Sequence, residues 1–307
     1  LLKKGGIQVF MFLGLAVAIC IIQDAVGSGL AAAFGLNPLL GLCMGSMPLV
    51  GGHGTSGSFG PLLETDYAVV GATTVALAAA TYGLVSGSMM GGPIARARVE
   101  KLHLKSTAAE EGNETAEVMP AVDGQKFTTS AMFLAVAIGL GTLIFTFFKD
   151  VCHLTFPTYI GAMLAAAAIR NIWDVQNKDL PMVEIDALGG LSLNLFLSMA
   201  MMSLKLWQLA ALALPMIVIL LVQTVVMFLY ANFVVFNVMG RDYEAAAMTT
   251  AFCGFGMGAT PNAMANMRAL VERYGAAPRA FFIVPLVGSL FVDFFNSMVL
   301  TTFMNFL

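Results

Sequence analysis

The chain has 307 residues, of which 59% are apolar and 11% charged, with a formal net charge of −3. An average soluble domain carries about 25% charged residues, so the composition excludes an ordinary water-facing surface, and the near-neutral balance excludes an electrostatic nucleic-acid partner. Cys20, Cys43, Cys152 and Cys253 lie far apart with no C-x-x-C, which excludes a zinc ribbon or redox pair and leaves them as small buried apolar residues.

Taken in chain order, residues 7–26 form the first expected membrane span, close to the ~20 apolar residues that a bilayer requires. The start does not read as a signal peptide. Asp24, in "CIIQDAV", is expected as a solvated helix end at the outer interface. Residues 28–65 follow, where Asn37 can cap a helix with Pro38 at its first position. Then comes "VGGHGTSGSFG" (50–60), in which Gly52, Gly54 and Gly57 satisfy G-x-G-x-x-G. A dinucleotide loop needs a strand before these glycines and an acid about twenty positions later. That later region is the apolar "GATTVALAAAT" of the next span, 66–92, so the nucleotide reading fails. Thr81 and Tyr82 are polar positions within that span.

Residues 93–127 are polar and Glu-rich and read as a cytoplasmic linker. Their "NET" (113–115) matches a glycosylation sequon that a cytoplasmic loop would never present. Spans are expected at 128–148, 152–170 (closed by Arg170), 188–204 and 209–236. Asn194 and Ser198, one turn apart in the third of these, suit helix contacts as well as a ligand. Residues 241–276 contain "AFCGFGMGATPNAMANM" (251–267). The last span, 279–304, contains Asp293, with Ser289 four residues back and Asn296 three residues on, read as sharing one face. An ionisable residue inside a span is a functional hypothesis by default.

Orientation follows from positive charge. With the linker inside, all the lysines and arginines except Lys149 and Lys205 fall on the cytoplasmic side, a strong positive-inside bias. The count holds only if 28–65 and 241–276 each enter and leave by the same face, the first from outside and the second from the cytoplasm. Arg268, Arg273 and Arg279 then read as cytoplasmic anchors. Both re-entrant segments carry the glycine clusters. Gly52 and Gly54 match Gly254 and Gly256 at a shift of 202, and Gln23 matches Gln223 at a shift of 200. The fold class expected is therefore an all-α integral membrane protein with two inverted repeats. They occupy 1–92 and 128–307, each with a glycine-rich re-entrant hairpin. The second copy has three spans before 209–236 with no counterpart in the first, so about three N-terminal helices are expected to be missing.

Irregular backbone at membrane depth is tolerated only inside protein or lining a polar cavity. Two opposed hairpins would bring free carbonyls and free amides together near the midplane, as in carriers that hold anions and cations at broken helices. The substrate candidates are Gly52, His53, Gly54, Thr55 and Ser56 in one loop. In the other they are Gly254, Phe255, Gly256, Gly258, Thr260 and Asn262, and Pro261 suits the first turn of the second arm. Sodium candidates are Gly51, Cys253, Asp293 and Asn296. His53 could bind substrate, relay a proton or bond within its own loop. Two other classes were weighed. An intramembrane hydrolase using Ser56 or Ser58 with His53 lacks an orienting third group. An ion channel with paired half-helix loops remains distinguishable by its currents.

"SMPLVGGHGTSGSFG", "LKLWQLAALALP", "CGFGMGATPNAMANM" with "VERYG", and "VPLVGSLFVDFFNSMV" occur in order, and together they resemble the bacterial sodium–glutamate symporter family. The resemblance implies inner-membrane homodimers of two inverted five-helix halves that take up L-glutamate with Na⁺ by an elevator-like movement. It implies no enzyme activity and no organic cofactor; another small dicarboxylate or amino acid is the alternative substrate. It also implies that Gly51 to Ser56 and Cys253 to Asn262 line the translocation site, with Asp293 and Asn296 near it. The proline in "SFGPLLETDY" departs from the longer continuous helix expected there, leaving Ser58, Glu64 and the outer arm of the first hairpin unassigned.

Overall fold

A computed structural model describes residues 2–106, 122–152, 158–176, 178–202 and 206–307. The sequon at 113–115, much of the expected linker, Lys205 and the first part of the expected span 152–170 lie outside the described residues. So does the side chain of Ser289. All regular structure among the described residues is helical. In order these helices are α1 (Leu2–Ala33), α2 (Pro38–Leu42), α3 (Ser46–Leu49), α4 (Gly52–Asp66), α5 (Ala72–Lys101) and α6 (Gly124–Cys152). Then follow α7 (Thr158–Val175), α8 (Met182–Met202), α9 (Leu206–Leu229), α10 (Phe236–Val238), α11 (Tyr243–Tyr274), α12 (Pro278–Val287) and α13 (Asp293–Phe306). π-Helical turns at Tyr230–Val235 and Gly288–Val292 join α9 to α10 and α12 to α13. Among the described residues, four helical stretches are long and apolar enough to cross a membrane: Gly6–Ala33, Ala72–Lys101, Gly124–Phe148 and Leu212–Val238. The chain is a helical membrane protein.

The chain divides into two units, Leu1–Asn113 with Lys205–Leu307, and Glu114–Leu204. In the second unit Asp123 caps α6, accepting from Gln125 N at 2.7 Å and Lys126 N at 3.2 Å. These backbone donors, Lys126 first, hold the exposed carboxyl below its usual range. Gly141 of α6 lies against Gly161 and Ala162 of α7, and Phe133 meets Trp173 edge-on at 5.2 Å. Ser198 donates to Asn194 O within α8, and both residues are exposed.

The first unit holds the glycine-rich segments. Asn37 caps α2 by accepting from Leu39 N at 2.9 Å, with Pro38 next. α2 and α3 run back along α1, placing Gly41 against Gly27 and Gly45 against Asp24. α4 continues through Pro61 to Asp66 and then meets α5, where Glu64 accepts from Thr73 N at 3.1 Å. The proline therefore does not end the helix, and Glu64 serves as a cap for its neighbour. α11 is formally one helix, but Gly258 and Ala259 leave helical geometry, with Ala259 at φ +67°. The chain doubles back there. Asn266 donates to Thr250 O at 3.2 Å across sixteen residues of sequence, a separation of roughly 24 Å in a straight helix. At the base of this hairpin Tyr243 Oη donates to Gly275 O, and Arg279 pairs with Asp242.

α5 supplies the groove-filling helix. Gly83, Gly87 and Gly91 form one stripe at four-residue spacing, and it lies on both arms of α11. A Cβ at Gly83 would fall 2.1 Å from Met257 O, one at Gly87 would crowd Cys253 O and Asn262, and one at Gly91 would crowd Asn266 and Thr250. Small residues at this spacing let helix backbones approach. Two sequence-derived boundaries are corrected here. α5 passes Pro93 and continues to Lys101, because Ile94, Ala95 and Val99 bury its inner face. Near that end Arg98 donates to Asn232 O at 2.7 Å and Oδ1 at 2.8 Å, with its guanidinium 4.6 Å from the Phe236 ring centre. α1 likewise runs nine residues beyond Asp24, to Ala33.

Gly83→Ala should lower stability by about 1–3 kcal/mol, because the obstacle is a backbone carbonyl that cannot turn aside. Gly14→Ala, with open space at its Cβ, should be neutral or slightly stabilising. Thermal unfolding of the two variants in detergent compares them.

Candidate functional site

Two interruptions of helix face each other in the first unit. The first lies between α3 and α4, at Val50 to Gly52, and the second at Gly258–Ala259 in α11. Gly52 adopts φ +65°, a conformation that a side chain would strain, and its Cβ position lies 3.3 Å from Ala259 Cβ. The two breaks are thus in contact. Each presents the last carbonyls of one helix beside the first amides of another, groups that lack partners within their own helices. α4 begins with Gly52, His53, Gly54 and Thr55, and the second arm of α11 begins near Thr260 and Pro261.

The candidate residues separate by accessibility. Gly51, His53 and Thr260 are half-buried and Gly54 is exposed, so these four are reachable. Gly52, Thr55, Ser56, Cys253, Gly254, Phe255, Gly256, Gly258 and Asn262 are buried. Ser56 donates to Gly52 O at 2.7 Å and Ser58 donates to Gly54 O at 3.0 Å, so both hydroxyls are turned back onto their own helix. His53 Nε2 lies 3.1 Å from Thr81 Oγ1 on α5, and that hydroxyl donates to Leu77 O. With the Thr81 hydrogen on Leu77 O, the matching tautomer of His53 carries its proton on Nε2 and has Nδ1 as an acceptor. His53 thus bonds to α5 rather than within its loop. Tyr82, next to Thr81, pairs with Thr224 at 2.9 Å.

At the second break, buried carboxamides take up the surrounding polar groups. Asn262 Nδ2 donates to Leu84 O at 3.2 Å, and its Oδ1 lies 2.5 Å from Ser88 Oγ, whose one hydrogen is shared between Asn262 Oδ1 and Leu84 O at 2.9 Å. Asn266 donates to Gly87 O and Thr250 O. Gln23, fully buried on α1, donates to Gly256 O at 2.8 Å, and Gln223 donates to Gln23 O at 2.7 Å. The matched glutamines meet in space. The matched glycines do not occupy equivalent places: Gly52 closes its break and Gly54 follows it, whereas Gly254 and Gly256 precede theirs. The second break falls beside Pro261, and glycine spacing alone did not mark it. Cys253 lies five residues before the break with its carbonyl near Gly87.

The last helix also differs from its sequence reading. Thr260 Oγ1 is 2.6 Å from the Cβ position of Gly288, where the π-turn begins, so the second tip touches this helix. Asp293 follows the π-turn on the exposed face, while Asn296 is 1% exposed. Three residues turn about 300° around a helix, so the two side chains stand about 60° apart on one side of it, Asp293 at the exposed edge and Asn296 in the packed interior. Asn296 Nδ2 donates to Ser46 O at 3.3 Å and Oδ1 lies 2.5 Å from Ser46 Oγ. Both polar atoms of its amide are engaged with Ser46. Asp24 is corrected too. It is fully buried, accepting from Ser46 N at 2.7 Å, because α1 continues well past it. Ser46, Ser88 and the glycine stripe of α5 were not singled out in the sequence; only the spacing G-x₃-G-x₃-G in "GLVSGSMMG" could have signalled the last.

Comparison with known proteins gives one family. A family model described as Sodium/glutamate symporter matches residues 1–276. The chain is 40% identical over 310 residues to the sodium/glutamate symporter of Escherichia coli K12, covering 99% of this chain and 77% of that protein. The same identity and coverage hold for the Shigella flexneri sodium/glutamate symporter. The Haemophilus influenzae sodium/glutamate symporter is 35% identical over 308 residues, covering 97% of this chain and 76% of its own. No solved structure matches the chain.

Ser88→Ala should cost about 1–3 kcal/mol by stranding the Asn262 carbonyl. The loss should be strongly non-additive with Asn262→Ala in a double-mutant cycle, measured by thermal unfolding.

Proposed function

The chain belongs to the sodium/glutamate symporter family, and we propose that it carries L-glutamate into the bacterial cell with Na⁺, as an inner-membrane homodimer. The observation that carries this reading is the contact between the two helix breaks at Gly52 and Ala259. Residues 28–65 and 241–276 enter and leave the membrane by the same face, from opposite sides, in inverted halves. Their tips meet where solute is bound. The linker around 93–127 is cytoplasmic.

A glutamate needs donors for two carboxylates and acceptors for one ammonium group. The first amides of α4 and of the second arm of α11, with Thr260 Oγ1, supply donors at positive helix ends. His53, with Nδ1 free to accept, suits the ammonium group. Sodium takes oxygen ligands, which the carbonyls around Gly51 and the last carbonyls before Gly258 provide. Asp293, on the helix that Thr260 touches, adds the charge. The α11 hairpin and α5 are locked together by the glycine stripe and the Asn262 and Asn266 bonds. They move as one body in an elevator-like step that carries the site between the two faces.

Uptake of labelled L-glutamate into proteoliposomes should require an inward Na⁺ gradient, and L-aspartate and 2-oxoglutarate should compete less well. Asp293→Asn should raise the sodium needed for half-maximal uptake about tenfold, equivalent to losing about 1.4 kcal/mol of sodium affinity. Unchanged sodium activation removes Asp293 from the mechanism.

A further inference from the structure

A second polar centre lies between α1, the first hairpin and α13. Asp24 is fully buried. Its Oδ1 accepts from Ser46 N at 2.7 Å, and its Oδ2 lies 2.8 Å from Ser46 Oγ. Ser46 Oγ lies 2.5 Å from Asn296 Oδ1 as well. A serine hydroxyl has one hydrogen to give. With Asp24 ionised, that hydrogen faces two acceptors, and one close oxygen pair is left with nothing between.

Turning the Asn296 amide over does not repair the count. It would put Nδ2 at 2.5 Å from Ser46 Oγ, shorter than N–H···O bonds run but inside the O–H···O range. It would also set Oδ1 against Ser46 O, where Nδ2 now donates at 3.3 Å. One added hydrogen closes the network: Asp24 Oδ2 donates to Ser46 Oγ, Ser46 Oγ donates to Asn296 Oδ1, and Asn296 Nδ2 donates to Ser46 O. Each of the two close oxygen pairs then has a hydrogen between its oxygens.

We propose that Asp24 is a proton-binding site, occupied in this conformation, that latches α1 and α3 to α13. The surrounding charge agrees. No lysine, arginine or histidine occurs in residues 20–28, 38–50 or 287–300. The titratable groups next to Asp24 are Cys20 on α1 and Cys43 after α2, with Asp293 of α13 beyond Cys20 and Glu64 of α4 beyond Cys43. None of them brings a positive charge, and a buried carboxylate without one is strongly disfavoured. With no solvent reaching Asp24, the proton leaves only when α13 separates from Ser46. Opening this contact therefore exposes a carboxyl that ionises in water, and closing it takes a proton back.

Infrared spectra of the purified full chain in lipid vesicles test this directly. At neutral pH the difference between parent and Asp24→Asn should contain the C=O stretch of one protonated carboxyl per chain, shifted in D₂O. A difference containing only carboxylate bands means that Asp24 is ionised and overturns the proposal. If Asp24→Asn does not fold, Ser46→Ala is compared with the parent. The acid then loses its acceptor, and its C=O band should move to higher frequency. An absent or unmoved band overturns the proposal equally.

Discussion

A helix that breaks inside an apolar protein frees backbone amides and carbonyls that must be satisfied where water is scarce. This constraint organises the first unit. At the second break one freed carbonyl is met by a carboxamide from α1, and further carboxamides brace the helices around it. Gln23 takes the Gly256 carbonyl, and Asn266 spans the two arms of α11 and the Gly87 carbonyl of α5. Asn262 ties the second arm to Leu84 and Ser88, and Asn296 meets Ser46 at the start of α3. At the touching tips the first amides of α4 and of the second arm of α11 have no acceptor within their own helices.

The same constraint explains the glycines that make no loop. Carboxamides reach the α5 carbonyls only if α5 lies very close to the α11 hairpin. Gly83, Gly87 and Gly91 permit that approach, and any side chain there would strike backbone or the bonding amides themselves. In lipid, helices gain little from the hydrophobic effect against each other, so close packing and interhelical hydrogen bonds carry the association. Glycines at a tip and glycines in the stripe are therefore different populations in this chain. Gly52 turns the chain at a tip, and the α5 stripe holds the tip's support.

Much of this was legible in the chain alone. The long uncharged runs gave α1, α5, α6 and α9, because a helix that satisfies its own backbone is the stable form for such a run in lipid. Asn37 with Pro38 marked the start of α2. The polar residues were less legible. Asp24 reads as a helix end from the edge of its apolar run, yet α1 continues and buries it. Asp293 and Asn296 share a side of α13, but the pattern did not show that the first stands at the exposed edge and the second is buried. The glycine match at a shift of 202 pointed to the correct segments but not to equivalent positions, since where a hairpin turns depends on what its arms pack against.

The sequence by itself determined the solvent of this protein, its helical class, the two segments that interrupt it and the family it belongs to. These depend on composition, run length and ordered motifs, which are local properties. Only the tertiary structure decided that Gly52 touches Ala259, that α5 fills the α11 groove, and that Asp24, Ser46 and Asn296 share a network. Those contacts join residues separated by up to 250 positions, and no local pattern encodes which buried donor will meet which acceptor.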